Sequence, residues 1–267
     1  MPFEPIAIVG QGCVFPGAPN PQLFWDAVSN GRDLTTAVPE GAWPVAPDQI
    51  TGPYGRSVRD GGKPQPFRGG FVTDFEDNFD PHGFLMPVER VAGLDRSVRW
   101  LFESARQALR DSGCDGPVAS TTAIVIGNHS YPTSSLVDLA HTCLVEAPMG
   151  LAQLPGSATA TEKWRWANRF SSGRPAHLLA EALGAEGPAF CLDAACASSL
   201  YALKLACDYL HDRTVDLALS GAVCGTENIF LHLGFADISA LSRRGVSAPS
   251  AAMPMVFCPP RAPASSR

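Results

Sequence analysis

The chain alternates short, unbroken apolar runs with longer stretches whose apolar positions recur every three to four residues. The runs Pro5–Gly10, Thr121–Gly127, Ala189–Leu192 and Val215–Ala222 have the length and content of buried strands. Helical patterns separate them. Asn20–Gly31 carries a capping asparagine, a proline in the first turn and a closing glycine, and Leu23, Phe24, Ala27 and Val28 form its expected buried face. Leu94–Gly113 is the clearest amphipathic helix, with Val98, Leu101, Phe102, Ala105, Ala108 and Leu109 on one side. Arg96, Arg99, Arg106 and Arg110 fall opposite and are expected to face solvent; an acidic partner is the less favoured alternative. Tyr131–Ala147, Glu162–Phe170 and Pro175–Leu183 are further expected helices. Arg32–Pro81, rich in Gly and Pro, has no sustained period, and its aromatic residues are expected to anchor a long loop. Cys224–Phe235 is expected to be a loop with bulky side chains.

Strands alternating with helices predict an α/β fold, a mixed, mainly parallel sheet with helices on both faces. One stretch joins pattern to chemistry. After the run Ala189–Leu192 comes a corner of small residues, Asp193–Ala195, then Cys196, then a helical pattern from Ala197 to Leu210. Lys204, Asp208 and His211 form one narrow polar stripe on that helix, and the remainder is apolar enough to predict burial nearly all round.

Composition narrows the function classes. The 267 residues suffice for a sizeable core, and the net charge of −6, with no basic run, gives no nucleic-acid surface. No apolar segment approaches the roughly twenty residues needed to span a bilayer, and no signal peptide is evident, so a cytoplasmic protein is expected. The eight cysteines contain no CxxC pair and are expected to be reduced, mostly buried thiols. The six histidines form no metal-binding spacing, so no metal is expected. Gly10-x-Gly12 matches only part of a dinucleotide fingerprint, and Pro16 interrupts it. His129 follows an expected strand, where loops gather around active sites, but its sequence context gives it no role beyond a polar loop residue.

A cysteine at a strand-to-helix corner is a candidate nucleophile. The first N–H groups of a helix lack internal partners, and the helix dipole favours the reactive thiolate form. The same groups can stabilise the oxyanion formed when a thioester is attacked.

Asp193-Ala-Ala-Cys196-Ala-Ser-Ser-Leu200 resembles the active-site motif of β-ketoacyl synthases, the condensing domains of type I polyketide, fatty-acid and polyunsaturated-fatty-acid synthases. Ile6–Gly17 is similar to that family's first strand and loop, and Gly69–Pro81 to the segment leading into its Phe-Asp-Pro turn. The resemblance implies the N-terminal half of a thiolase-like fold. It implies Cys196 as the acyl acceptor in a decarboxylative Claisen condensation, with Phe235 near the acyl pocket. It implies substrates carried on the phosphopantetheine of an acyl carrier protein, no other cofactor, and a homodimer in the intact family, with no nucleic acid or membrane partner. The family's two catalytic histidines lie in His-Gly-Thr-Gly-Thr-like and Asn-x-Gly-His-like motifs, and neither is present in this sequence. The chain is therefore expected to be a truncated, inactive or partial condensing enzyme. The alternatives are a non-catalytic partner or pseudoenzyme fragment, and a thioester hydrolase using Cys196.

Residues 1–246 are expected to form the condensing-enzyme domain, and 247–267, rich in Pro, Ala and Ser, a disordered tail. Met253-Pro-Met-Val-Phe257 must be encoded ATG-CCN-ATG-GTN-TTY. Read from a G ending the Ala252 codon, these bases permit Asp-Ala-Asp-Gly-Phe, close to a family segment. A single-base frameshift near Ser247 is the expectation, and resequencing the gene decides it.

Overall fold

The computed structural model describes residues 4–43, 59–60, 63–64, 68–114, 116–129, 173–225 and 229–237. The expected helices Tyr131–Ala147 and Glu162–Phe170 and the tail 247–267 lie outside these residues. In chain order the elements are α1 (Pro21–Ser29), β1 (Thr36–Ala37), β2 (Arg59–Asp60), β3 (Lys63–Pro64), β4 (Arg68–Gly69), α2 (Phe75–Asn78) and α3 (Val88–Ala92). Then follow α4 (Arg96–Asp111), β5 (Thr122–Asn128), α5 (Arg174–Leu183), β6 (Ala189–Leu192), α6 (Ser198–His211), β7 (Leu217–Val223) and α7 (Ile229–Asp237). They fall into two compact units, Met1–Arg32 with Val72–Gly225, and Asp33–Phe71 with Thr226–Arg267.

The first unit is built on a parallel sheet of order β6-β5-β7. Central β5 is buried on both faces, and its pleat sends alternate side chains to opposite layers. Ile124 and Ile126 pack in the core formed by α4 and α5, where Phe102, Leu101, Leu178 and Leu179 are buried. Val125 points the other way, against Ala202 and Ala206 of α6. The result is three layers, helices on both faces of the sheet, as the alternating pattern implied.

Helix ends follow their sequence signals. Asn20 Oδ1 accepts the Leu23 N–H at 2.9 Å to start α1, and Asp95 Oδ1 accepts the Ser97 N–H at 3.0 Å to start α4. Gly113, at φ +80°, ends α4 in the left-handed region that other residues avoid.

Three expectations of burial fail among the described residues. Pro5–Gly10 forms no strand; Ile8 is 77% and Val9 56% exposed. Across from it, β7 pairs only with β5 among the described residues. A cavity of about 680 Å³ separates the two backbones, lined by Ile6–Gly12 on one side and Leu217–Ala222 on the other. On α1 only Ala27 is buried, while Leu23, Phe24 and Val28 are exposed. On α6, Ser198, Ala202 and Ala206 face the sheet, but Leu200 is 70% exposed, with Tyr201 and Leu203 beside it. An apolar period states which side chains avoid water, not which element covers them.

The arginines of α4 also depart from expectation. Arg96 and Arg99 pair with Glu76, and Arg106 pairs with Glu103. The Arg106 guanidinium donates to the carbonyls of Asp80 at 2.7 Å and His82 at 3.0 Å. It stacks over Phe79 and Phe84 at 5.6 and 5.1 Å. These side chains clamp the Phe-Asp-Pro segment to α4, and of the four arginines only Arg110 is exposed.

In the second unit β1 pairs antiparallel with β4, and β2 with β3. Trp43, Phe71 and Ile229 form its core. His232 is buried, with its ring stacked on Phe71 at 6.1 Å and 5.0 Å from Trp43. The helix α7 replaces the loop expected at Cys224–Phe235. Its run Ile-Phe-Leu-His-Leu-Gly-Phe has no polar face, so spacing carried no helical signal. Among the described residues no helix is long and apolar enough to cross a membrane.

Candidate active site

The site lies at the carboxyl ends of the three parallel strands, where open α/β sheets gather ligands. β5 leads into His129, β6 into Asp193 and β7 into Cys224. Gly127 stands opposite Leu192 on one neighbour and Ala222 on the other, so these following residues emerge side by side.

Cys196 sits in a single 3-10 turn, Ala195–Ala197, directly before α6, and it is exposed. Sequence placed it at a strand-to-helix corner, and the structure puts it there. The corner is strained and held. Ala195 has φ +51°, a left-handed value costly for any residue with a Cβ. Asp193 Oδ1 accepts the Ala195 N–H at 2.9 Å. The Ser198 hydroxyl accepts the Ala194 N–H at 2.9 Å and donates to the Ala195 carbonyl at 2.7 Å. Ser198 is itself buried, whereas Ser199 is exposed. Beneath it Gly127 gives α6 room: a Cβ there would meet Ser198 backbone and Cβ atoms at 2.8 Å.

His129 lies across the corner, its Nδ1 3.7 Å from Asp193 Oδ2, with each side chain about a third exposed, 31% and 32%. Cys224 keeps contact with solvent, yet desolvation of its sulfur pushes the thiol up, and the Asp193 carboxylate and Cys196 push in the same direction. Burial likewise raises Cys13, to about 11, and Cys191. The expectation of mostly buried thiols is corrected at Cys114, Cys196 and Cys224, all exposed. Cys143 and Cys258 lie outside the described residues.

Phe235 lies on α7 in the second unit and is half-buried. Gly10 and Gly12 serve packing: a Cβ at either would stand about 2 Å from a backbone oxygen of α4, 2.0 Å from Ala108 O or 1.9 Å from Ser104 O. The Gln11 N–H donates to Asp111 and the Cys13 N–H to Gln107, tying the turn to that helix. His211 contacts the Glu4 carbonyl at 2.9 Å, and His82 contacts Asp80. Among the described residues no group of three His, Cys, Asp or Glu side chains could hold a metal. Sequence reasoning missed Asp193, Ser198 and Gly127 as individual contributors, although all three belong to motifs it singled out. The sequence placed His129 on a loop after an expected strand, but its pairing with Asp193 had no sequence signal, because that partner is 64 residues away and follows a different strand.

The family profile described as "Beta-ketoacyl synthase, N-terminal domain" matches residues 3–254. The chain belongs to the β-ketoacyl synthase family. It is 34% identical over 224 residues to a mycocerosic acid synthase-like polyketide synthase of Mycolicibacterium smegmatis, 82% of this chain and 9% of that protein. It is 35% identical over 254 residues to a phenolphthiocerol/phthiocerol polyketide synthase of Mycobacterium tuberculosis, 92% of this chain and 10% of that one. The chain thus spans about a tenth of these relatives. Among solved structures, a PfaC keto synthase-chain length factor matches with TM-score 0.72 and 31% identity, covering 90% of this chain and 26% of its own. The oxazolomycin ketosynthase domain of Streptomyces albus matches with TM-score 0.64 and 26% identity, covering 91% and 40%. The fold of this β-ketoacyl synthase domain is thiolase-like.

Proposed function

We propose that this chain is the acyl-accepting part of a condensing domain in polyketide or fatty-acid synthesis, with Cys196 as the nucleophile. The observation that carries this is an exposed cysteine on a locked strand-to-helix corner at the carboxyl ends of parallel strands. The Cys196 thiolate attacks the carbonyl carbon of a carrier-bound thioester. A carbon–sulfur bond forms and the carbonyl electron pair moves onto oxygen, where N–H groups at the amino end of α6 stabilise it. Collapse breaks the bond to the pantetheine sulfur, which leaves and takes up the proton Cys196 lost. The acyl group remains on Cys196.

The substrates come on the phosphopantetheine of an acyl carrier protein in the cytoplasm, with no further cofactor, and the intact enzyme is a homodimer. Residues 1–246 form the domain, and Phe235 shapes the acyl pocket, so Phe235→Ala alters chain-length preference. The family's two histidine motifs are absent from the sequence. Decarboxylation and carbon–carbon bond formation are therefore assigned to residues outside it, and this chain alone stops at the acyl-enzyme.

Incubation with an acyl-carrier or acyl-coenzyme A thioester, followed by mass spectrometry, tests the assignment. Stable acylation at Cys196 supports it. Turnover to free acid favours a hydrolase, and no adduct favours a non-catalytic role.

A further inference from the structure

Asp193 has two carboxylate oxygens with two tasks. One accepts the N–H of Ala195, the residue held at φ +51°, and so fixes the turn that presents Cys196. The other faces the His129 ring, with Nδ1 at 3.7 Å, farther than a hydrogen bond. Strand register makes this meeting structural rather than accidental. Gly127 pairs with Leu192, so His129 and Asp193 leave adjacent strands together. His129 leaves the buried strand β5 and Asp193 the half-buried strand β6, and the ladder between these strands limits their freedom to drift apart.

An unopposed carboxylate here would work against acyl transfer. The titratable groups gathered at these strand ends include Asp193, His129, Cys196 and Cys224. A negative Asp193 disfavours a second negative charge nearby; at Cys224, where burial is the main cause that raises the thiol, Asp193 adds to it. The corner needs an acceptor oxygen at position 193, because Asp193 Oδ1 holds the Ala195 N–H.

We propose that His129 is a positioning residue for Cys196: its ring opposes the Asp193 carboxylate and keeps that group seated on the Ala195 N–H. This rests on Cys196 being the acyl acceptor, and it goes further by assigning a role to a histidine of this half of the fold. His129 touches neither substrate nor thioester; it acts through Asp193.

The test uses the full chain and two probes, with site-resolved mass spectrometry separating Cys196 from the other thiols. Iodoacetamide reports how Cys196 is presented whether or not the protein uses thioesters. An acyl-coenzyme A thioester reports acyl transfer itself. Wild-type protein that alkylates at Cys196 but never acylates there sinks the proposed function and leaves the His129 proposal open to test. For a partly exposed pair the expected effect is modest: His129→Leu slows Cys196 alkylation roughly three- to five-fold. His129→Asn, which restores an N–H donor towards Asp193, recovers most of the rate.

In the Asp193→Asn background no carboxylate needs opposing, while the Asn oxygen can still accept from Ala195. There His129→Leu has no further effect, the non-additivity expected of a coupled pair. A wild-type rate in His129→Leu overturns the proposal. So does a loss that is the same in both backgrounds, or a lowered melting temperature with an unchanged Cys196 rate.

Discussion

Ser198 and Ser199 are adjacent, identical and both within the cysteine motif, yet the structure gives them opposite fates. The Ser198 hydroxyl makes two bonds across the corner, from the Ala194 N–H at 2.9 Å and to the Ala195 carbonyl at 2.7 Å. Ser199 is exposed. Ser198→Ala removes both bonds at once. Each neutral bond is worth about 1 kcal/mol net, more where the partner is left buried and unpaired. Ala195 is exposed, so water recovers its carbonyl; Ala194 is half-buried, so its N–H is recovered only in part. The sum is about 2 kcal/mol. Both substitutions gain a little from alanine's higher helix propensity, which makes Ser199→Ala the matched control. With a urea slope of about 2 kcal/mol per molar, the midpoint of Ser198→Ala falls by about 1 M, while Ser199→Ala stays within about 0.3 M. The assay is paired urea denaturation with Cys196 alkylation rates in native buffer. Equal midpoints for the two variants refute the corner's assigned architecture.

Gly127→Ala brings a Cβ within 2.8 Å of Ser198 backbone and Cβ atoms, which a flexible side chain cannot relieve. It should cost about 1–3 kcal/mol by the same denaturation assay and shift Cys196 reactivity. Arg106→Lys keeps the charge but loses the planar fork that spans two carbonyls and two rings. A loss of about 1–2 kcal/mol is expected by thermal melting, against about 0.5 kcal/mol or less for exposed Arg110→Ala. Burial pushes Cys13 up to about 11 from an ordinary value of 9.0. The unfolded chain therefore releases this proton before the folded one does. Its contribution to stability is complete below about pH 9 and is lost as pH rises towards 11, and Cys13→Ala should remove that part of the pH slope.

Much of the first unit was legible because it rests on local signals. The runs at Thr122–Asn128, Ala189–Leu192 and Leu217–Val223 are strands, and α1, α4 and α5 begin and end near their expected caps. What failed depends on partners distant in sequence. Ile8 and Leu200 have the chemistry of buried residues, but nothing in their spacing says which element covers them. The arginines of α4 read as a solvated face until Glu76, Phe79 and Phe84 fold back over them. At the site, Cys196 was visible because its motif is contiguous. His129 was visible only as a loop residue after a strand; its partner was not, because only the parallel register of β5 with β6 sets it against Asp193. Ser198 and Ser199 could be told apart only by which one faces β5.

The central claim is that one thiol among eight is placed to accept an acyl group. Its most direct measurement is the site-resolved stoichiometry of acyl transfer from an acyl-carrier thioester to wild-type chain and to Cys196→Ser. One acyl group per wild-type chain, mapped to Cys196 and missing from the variant, is the predicted result. Acylation spread over several thiols, or equal in the variant, contradicts it.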